Sequence, residues 1–198
     1  MTWTTTLSLM VWTLVALDVA YHWLLAWGGW RRKDVALPAT PTHRFAVLIP
    51  AHNEEAVIGR TLDRLYNQHY PKHLYDVFIV ADHCTDETAI IARQHGATSY
   101  ERQTGLRGSK GAALAWLIER VFETGIPYDA LVIFDADTQV DAKFLRVMDA
   151  RLARGDRVVQ GQHRISNPGA GWFAALTWAM FMIDNRFQNL GRSNLGLS

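Results

Sequence analysis

The sequence predicts an α/β protein in which a mostly parallel sheet is flanked by helices and preceded by one transmembrane helix. Apolar runs of strand length alternate with segments of helical period, and short polar turns separate them. The first 30 residues are far more apolar than the rest of the chain. Polar residues follow three of the apolar runs, and a parallel sheet would bring them together at the edge where α/β proteins bind ligands.

Composition excludes several other classes of protein. The net charge of +1 and the lack of a long basic run give no indication of a nucleic-acid partner. The single Cys84 excludes an internal disulfide and a multi-cysteine zinc site. We interpret Cys84 as a small buried apolar group, because a nucleophilic role requires a base that the sequence does not place.

The N-terminal segment predicts a membrane anchor over residues 5–30, followed by a linker over residues 31–43. Roughly 20 apolar residues cross a hydrocarbon core of about 30 Å. Trp and Tyr cluster in the C-terminal half of the segment, and the basic triplet 31–33 follows it. We therefore expect a single-pass protein of the cell membrane, with its N-terminus outside and everything after Lys33 in the cytoplasm. Asp18 is costly within a membrane and predicts contact with a helix outside this chain. A cleaved signal peptide is disfavoured, because no basic residue precedes the apolar run.

Five segments in the rest of the chain are predicted to be strands. They cover residues 45–49, 76–80, 97–101, 131–134 and 157–161. The first would end at Pro50, which has no N–H to donate to a neighbouring strand. The fourth, Leu131 to Phe134, is a run of large apolar residues, which predicts a strand buried on both faces.

Helices are predicted between these strands, each beginning at a polar residue. The predicted N-caps are Asn53, Thr85 and Ser109. The predicted buried faces are Val57, Ile58, Leu62 and Leu65 in the first helix, and Leu114, Leu117, Ile118, Val121 and Phe122 in the third. The apolar residues 172–183 predict a helix that is buried or lies on a membrane surface.

The polar segments that follow the strands predict a ligand site. They are residues 51–54, 82–86 and 135–137. In the last of them, the alternation of side chains along an extended chain sends Asp135 and Asp137 to the same side. Two carboxylates can hold a hard divalent cation, and such a cation can hold a diphosphate. The Asp-x-Asp pattern alone is expected by chance in this composition, so its position after a buried strand carries the prediction.

Four short segments together resemble the family 2 glycosyltransferases of the GT-A fold, the group that contains cellulose, hyaluronan and chitin synthases. They are VLIPAHNEE at 47–55, VADHCTD at 80–86, GSKGAAL at 108–114 and FDAD at 134–137. The resemblance covers about residues 44–165. It implies a GT-A nucleotide-sugar-binding domain over residues 44–198, of which this chain would hold the donor half.

The resemblance also implies a role for individual residues. Ala51 and Glu54 would contact the base and ribose of a nucleotide, Asp82 the base, and Lys110 the rest of the nucleotide. Asp135 would lie near the ribose and act with Asp137 to bind Mg²⁺ or Mn²⁺, which bridges the diphosphate. Without the resemblance, Glu54 has a simpler interpretation as a charge that complements a helix dipole, and Asp82 as a turn residue.

The residues in and beside segment 108–114 have more than one interpretation. The ammonium group of Lys110, at a helix N-terminus, suits an anion, and Gly108 and Gly111 permit close approach of the backbone. Arg107 either assists there or is a solvated loop residue. The segment is not a phosphate-binding P-loop, since Gly rather than Ser or Thr follows the lysine.

The function implied is the transfer of a sugar, with inversion, from a nucleoside-diphosphate sugar, most often a UDP-sugar, to a hydroxyl of a glycan or lipid acceptor. Inversion needs a base, which the family carries in an acidic motif downstream of the metal motif. This sequence has neither that motif nor Gln-x-x-Arg-Trp, and Asp184 is only a weak candidate for the base. We therefore expect a chain that is truncated at its C-terminus.

Two alternatives stay open. One is a catalytically inactive nucleotide-binding module. The other is a sugar nucleotidyltransferase, although that class usually has a Gly-rich loop where this chain has PAHNE at 50–54. A dinucleotide-binding oxidoreductase is excluded by the lack of a Gly-x-Gly-x-x-Gly motif at the same position.

Overall fold

The computed structural model describes residues 2–30, 36–38, 40–105 and 109–197. The chain divides into two compact units, and each is described by itself: a sheet unit, Val35–Val159, and a helical unit, Met1–Asp34 with Gln160–Ser198. In chain order the helices and strands are α1 Trp3–Trp30, β1 Phe45–Ala51, α2 Glu55–Tyr66, β2 Tyr75–Asp82, α3 Thr88–Gln94, β3 Thr98–Arg102, α4 Lys110–Glu123, β4 Ala130–Ile133, α5 Phe144–Ala153, α6 Trp172–Ile183 and α7 Leu190–Leu195.

The described strands of the sheet unit form one parallel sheet in the order β3-β2-β1-β4. Helices α2, α3 and α5 cover one face of this sheet, and α4 covers the other. The predicted α/β class, with a parallel sheet flanked by helices, is therefore confirmed. Helix α5 was not predicted, although its leucine and methionine side chains pack against the core.

Strand β1 lies at the centre of the core, because residues 45–49 are fully buried and alternate between the two faces of the sheet. Contrary to the prediction, Pro50 does not end this strand, which continues to Ala51. The amide of Phe134 donates to the carbonyl oxygen of Leu48 at 3.1 Å. The backbone N and O atoms of Leu48, and therefore those of Pro50 two residues later, point toward β4. Since β4 ends at Ile133, opposite Leu48, Pro50 lies beyond the end of β4 and no hydrogen bond is lost.

Two buried faces were predicted incorrectly. β4 is an edge strand of the described sheet, and Ile133 is 47% exposed, so the strand is not buried on both faces. In α4, Phe122 is 64% exposed, whereas the smaller Ala113 is buried beside Leu117. The helix therefore presents a narrower face to the sheet than its apolar residues indicate.

The predicted strand at 157–161 is wrong, because these residues are irregular in the structure. Val158 is 94% exposed, and no strand in the described part of the chain pairs with this segment. A strand needs hydrogen-bonding partners along its edge, and apolar composition alone does not provide them.

Two of the three predicted helix starts are also wrong. α2 begins at Glu55 and α3 at Thr88, so neither Asn53 nor Thr85 is an N-cap. Asn53 has a positive φ of 55°, and its Oδ1 accepts a hydrogen bond from the amide of Thr85 at 2.9 Å. Ser109 does occupy the N-cap position of α4, but its side chain makes no capping hydrogen bond.

The starts of α2 and α3 cap each other. The amide of Glu54 donates to Thr88 Oγ1 at 2.8 Å, and the amide of Glu55 donates to Asp86 Oδ2 at 3.1 Å. In return, the amide of Glu87 donates to Glu55 Oε2 at 3.0 Å. Desolvation raises the pKa of the Asp86 carboxyl, but the hydrogen bonds from Thr88 and Glu55 outweigh it and lower this pKa below its usual value. These contacts tie the ends of β1 and β2 together, because α2 follows β1 and α3 follows β2.

In the helical unit, α1 is long enough and apolar enough to cross a membrane, by length and composition. Its C-terminal end packs on α7, where the carbonyl oxygen of Leu25 contacts the backbone of Gly191 closely enough to exclude a side chain. The predicted helix at 172–183 is present as α6, and none of its residues is buried. The basic triplet 31–33, on which the predicted orientation depends, lies outside the described residues.

Candidate functional site

The strand order places a crevice at the carboxyl ends of the sheet. From β1 the chain goes first to β2 and β3 on one side and then to β4 on the other, so β1 and β4 flank the point where the direction reverses. Open parallel sheets bind ligands at such a point. The parallel register sets Ala51 beside Ala81, so the polar segments 51–54 and 82–86 begin side by side. Segment 135–137 follows β4 on the other side of β1.

Asp82 is the most buried charged residue of these segments, at 7% exposure. Its Oδ1 accepts a hydrogen bond from Arg102 Nη1 at 2.6 Å and another from His83 Nδ1 at 2.9 Å. Its backbone carbonyl oxygen accepts a hydrogen bond from His52 Nδ1 at 2.6 Å. A turn residue in solvent would make none of these contacts, so Asp82 is held in place by its surroundings.

At the end of β1, Ala51 is buried and Glu54 is half-buried. Glu54 is the residue before α2, and its side chain makes no capping hydrogen bond. Its carboxylate therefore lies near the helix N-terminus, as both interpretations of this residue require. A contact between Ala51 and a nucleotide would have to come from its backbone, because its side chain is enclosed.

Cys84 lies between the first two segments and is half-buried rather than fully buried. Its thiol donates to the carbonyl oxygen of Ala51 at 3.6 Å and accepts from the amide of Asn53 at 3.4 Å. Burial raises the pKa of the Cys84 thiol above its usual value, which disfavours the nucleophilic thiolate. The cysteine therefore joins two loops of the site and has no feature of a nucleophile.

Lys110 and Asp135 form an ion pair between Nζ and Oδ1, and both side chains are about half exposed. The backbone after Asp135 turns sharply, because the amide of Thr138 donates to the carbonyl oxygen of Asp135 at 3.1 Å. The pair joins the start of α4 to the end of β4. Arg107 and Gly108, which precede α4, lie outside the described residues.

Asp137 forms no hydrogen bond or ion pair with any residue that the structure describes. It lines a cleft of about 180 Å³ together with Val57, Arg60, Thr61, Arg64 and Gln139. The hydroxyl of Thr61, a buried residue of α2, donates to the carbonyl oxygen of Ala136 at 2.7 Å. This hydrogen bond fixes the turn that carries both aspartates, while the carboxylate of Asp137 stays free to bind a ligand.

Comparison with known proteins identifies the family. The sequence profile of a family described as "Glycosyltransferase like family 2" matches residues 41–189. The chain belongs to this family. The match includes every strand of the described sheet and all three polar segments at the strand ends.

Individual relatives agree with this membership in glycosyltransferase-like family 2. The chain is 32% identical over 154 residues to a beta-monoglucosyldiacylglycerol synthase of Synechocystis sp., a match that covers 75% of this chain and 31% of that protein. It is 34% identical over 95 residues to a probable glycosyltransferase of Bacillus subtilis, covering 41% of this chain and 21% of the relative. The chain thus spans about a fifth to a third of the length of these relatives.

A solved structure supports the predicted GT-A-type fold. A mannosyltransferase of Pyrobaculum calidifontis, in complex with GDP-Man and Mn²⁺, superimposes with a TM-score of 0.53 at 25% identity. The match covers 67% of this chain and 39% of that one. Membership of a glycosyltransferase family also leaves a sugar nucleotidyltransferase without support.

The two aspartates fit the donor set of a divalent metal in this family. Mg²⁺ and similar hard ions are held by one or two carboxylates, with phosphate and water oxygens as the other ligands. Asp135 and Asp137 supply two carboxylates on one turn. Among the described residues there is no group of three or more His, Cys, Asp or Glu side chains placed to hold a metal. The remaining ligands would therefore have to come from a bound diphosphate and water.

Asp184, the weak candidate for the base, follows α6 in the helical unit and is exposed. It begins a π-helical turn, Asp184–Asn189. None of the residues at the ends of β1, β2 and β4 belongs to that unit. Its role as the base stays a prediction.

Arg102 and Thr61 were not predicted as residues of the site, and His83 was predicted only as a member of segment 82–86. The sequence contains one signal for Arg102, because this residue directly follows the third predicted strand, 97–101, and a parallel register sets it beside Asp82. Thr61 lies on the buried face of α2, where a hydroxyl is easily taken for a tolerated polar residue. His83 has a positive φ of 51°, which the sequence does not reveal.

Proposed function

We propose that this chain is the donor-binding part of a membrane-anchored, metal-dependent glycosyltransferase that uses a nucleoside-diphosphate sugar. The observation that carries the proposal is the set of charged residues at the carboxyl ends of the sheet. Asp82, Lys110 and the pair Asp135 and Asp137 follow or flank three strands beside the switch point. The family resemblance favours a UDP-sugar, and the related structure with GDP-Man supports nucleoside-diphosphate sugars as a class.

The residues of the site divide the donor between them. Asp82 accepts a hydrogen bond from the base, and Glu54 with the backbone of Ala51 lies beside the base and ribose. Asp135 and Asp137 would hold Mg²⁺ or Mn²⁺, which when bound neutralises charge on the nucleoside-diphosphate leaving group. Lys110, at the N-terminus of α4, supplies a further positive charge for the diphosphate. Its ion pair with Asp135 then gives way to a contact with the donor.

Inversion at the sugar and the identity of the base follow from the family resemblance. An inverting transfer needs a carboxylate that removes the proton of the acceptor hydroxyl. In the described residues Asp184 is the candidate that the sequence offers. Its replacement by asparagine is therefore expected to lower turnover without weakening binding of the donor.

A membrane acceptor is favoured by two observations. α1 is a 28-residue helix that is long enough and apolar enough to cross a membrane, and it can serve as an anchor over the predicted bounds 5–30. The Synechocystis relative is named for a glucosylated diacylglycerol. A lipid hydroxyl at the cytoplasmic surface is therefore the acceptor that we test first.

One alternative keeps specific support. It is a nucleotide-binding module without turnover, because Asp184 is only a weak candidate for the base that the transfer needs. Release of UDP distinguishes the two functions. The detergent-solubilised 198-residue chain is incubated with UDP-glucose, Mn²⁺ and mixed micelles that contain diacylglycerol.

We expect release of UDP by the wild-type chain, with at least about a hundredfold less release by Asp137→Ala. Asp156→Ala is the matched control, because that aspartate pairs with Arg151 at the end of α5, away from the strand ends. Tight binding of UDP without its release would support the inactive module. Failure of every nucleoside diphosphate to bind would overturn both functions.

A further inference from the structure

We propose that Arg102 and His83 are positioning residues, which hold Asp82 in one orientation so that its free oxygen selects bases with a ring N–H. Uracil and guanine present such a donor, whereas cytosine presents a lone pair at the same ring position. The inference rests on the proposed function, because it assumes that Asp82 faces a nucleotide base. It adds a reason for base selectivity, a role for His83 and a residue, Arg102, that no sequence motif indicated.

The parallel register brings the two charged groups together. Asp82 ends β2 and Arg102 ends β3, and these two residues are partners in the sheet. The amide of His83 donates to the carbonyl oxygen of Arg102 at 2.8 Å, which extends the pairing one residue beyond β2. The side chains of Asp82 and Arg102 are 10% and 12% exposed. Charge-assisted hydrogen bonds in such a protected place are short, strong and well oriented.

Both donors bind the same oxygen of Asp82. Arg102 Nη1 lies 2.6 Å from Oδ1, and His83 Nδ1 lies 2.9 Å from it. Oδ2 accepts no hydrogen bond from any residue in the described ranges. This oxygen is also not enclosed, because it is absent from the buried polar atoms that lack a partner. The carboxylate therefore has one oxygen fixed by protein and one oxygen open to a ligand at the carboxyl end of the sheet.

The backbone supports this arrangement at some cost. His83 has a φ of 51°, in the left-handed region that a residue with a β-carbon seldom adopts. This conformation turns the ring of His83 back toward the carboxylate of the preceding residue. His52 Nδ1 also donates to the carbonyl oxygen of Asp82 at 2.6 Å, which fixes the backbone from the side of β1. Unusual backbone conformations of this kind are concentrated at functional sites.

The orientation makes a specific prediction for Asp82→Asn. An asparagine has one acceptor and one donor group at the positions of the two carboxylate oxygens. Since Arg102 can only donate, the amide oxygen will take the position of Oδ1 and the NH₂ group will take the position of Oδ2. The open position then donates instead of accepting, which suits N3 of cytosine and opposes N3–H of uracil.

UDP and CDP are the probes, because they have the same size and charge and differ at this edge of the base. Their dissociation constants are measured by calorimetry on the 198-residue chain in detergent with saturating Mn²⁺. The wild type is expected to bind UDP about tenfold or more tighter than CDP. In Asp82→Asn the ratio of the two constants is expected to move toward CDP by about a hundredfold, while the Mn²⁺ dependence of binding is retained.

The role of Arg102 is tested in the same asparagine background. Adding Arg102→Met together with His83→Gly removes both donors that orient the amide, so the amide can rotate and the shift toward CDP is expected to fall to less than about tenfold. Adding Arg102→Lys instead keeps a donor and is expected to retain most of the shift. Arg93→Met is the matched control. Arg93 lies on α3 and pairs with Glu101, the neighbour of Arg102 on β3, but its side chain is about half exposed. It should leave the ratio unchanged.

The outcomes separate this inference from the proposed function. If UDP binds with Mn²⁺ but Asp82→Asn leaves the UDP to CDP ratio unchanged, selection by Oδ2 is overturned and the donor site stands. An equal shift with and without the two donors, Arg102 and His83, would overturn the positioning role. If neither nucleotide binds the wild type, the proposed function is overturned, and the inference about Asp82 is overturned with it. Because asparagine has nearly the shape of aspartate, Asp82→Asn remains a test even if an Arg102 variant does not fold.

Discussion

Replacing Asp149 with alanine removes the acceptor that ties the segment before β1 to helix α5. Asp149 is 1% exposed, and its Oδ1 accepts hydrogen bonds from two backbone amides, Thr42 at 3.1 Å and His43 at 3.0 Å. The same oxygen accepts from His43 Nδ1 at 2.8 Å and from the hydroxyl of Tyr70 at 3.1 Å. The substitution leaves the two amides and the ring of His43 without this acceptor, whereas the hydroxyl of Tyr70 keeps the carbonyl oxygen of His43 at 2.7 Å.

The expected loss of stability follows from the number and kind of these hydrogen bonds. A hydrogen bond to a charged group contributes about 1.5–3 kcal/mol, but bonds that share one oxygen are not additive. Removing one partner from a buried charged network costs about 3–5 kcal/mol. We therefore expect Asp149→Ala to lower the free energy of unfolding of the sheet unit by about 3–5 kcal/mol. Asp149→Asn keeps an acceptor and should cost about 1–2 kcal/mol.

The loss should depend on pH in a defined direction. Burial alone would raise the pKa of Asp149, but the hydrogen bonds from His43, Thr42 and Tyr70 lower it below its usual value. A carboxyl group with a lowered pKa in the folded state stabilises the fold fully above its unfolded pKa of about 3.9 and loses that contribution as the pH falls through the folded value. The difference between wild type and Asp149→Ala should thus be constant from pH 7 to about pH 5 and shrink below about pH 4.

Urea-dependent hydrogen exchange, read by mass spectrometry on peptides of β1, measures the free energy of unfolding for the sheet unit in the detergent-solubilised chain. Asp156→Asn is the matched control, because this aspartate pairs with Arg151 at 3.3 Å near the solvent and should change stability by less than about 0.5 kcal/mol. A loss below about 1 kcal/mol in Asp149→Ala would refute the assignment of Asp149 as the anchor of β1.

Three further predictions concern other contacts. Lys110→Met frees Asp135 from its ion pair, so affinity for Mn²⁺ without nucleotide should rise about two- to fivefold in a paramagnetic-resonance titration, and unchanged affinity would contradict the pairing. Thr61→Val removes the buried hydrogen bond to the turn of the two aspartates, so urea unfolding should show a loss of about 1–2 kcal/mol together with weaker Mn²⁺ binding. Gly191→Leu would force a side chain against the backbone of Leu25, so α1 and α7 should separate and become sensitive to limited proteolysis, whereas unchanged resistance would contradict their contact.

The centre of the sheet was predictable because its side chains are buried whatever surrounds them. Strands 45–49 and 76–80 were predicted from their apolar runs, and the structure extends the first by two residues and the second by three. Ile133 was misjudged because its exposure depends on β4 lying at an edge, and strand order is not encoded in a single run. Segment 157–161 failed for the same reason, since a strand requires a neighbour.

The helix starts and part of the site depend on contacts between segments that are distant in sequence. Asn53 and Thr85 are good N-caps by residue type, but Thr88 and Asp86 cap α2 and Glu55 caps α3, each from the other loop. Asp82 was predicted from a motif, whereas Arg102 entered only through the parallel register of β2 and β3. Local patterns thus located the acidic residues, and tertiary pairing determined which of their oxygens are free.

The central claim is that Asp135 and Asp137 make nucleotide binding depend on a divalent metal. Its most direct test is calorimetric titration of UDP into the wild-type chain and into Asp137→Ala, each with and without Mn²⁺. We predict that Mn²⁺ tightens UDP binding to the wild type by about tenfold or more and that Asp137→Ala loses this gain. Equal binding of UDP to the wild type with and without Mn²⁺, or an undiminished gain in Asp137→Ala, would contradict the account.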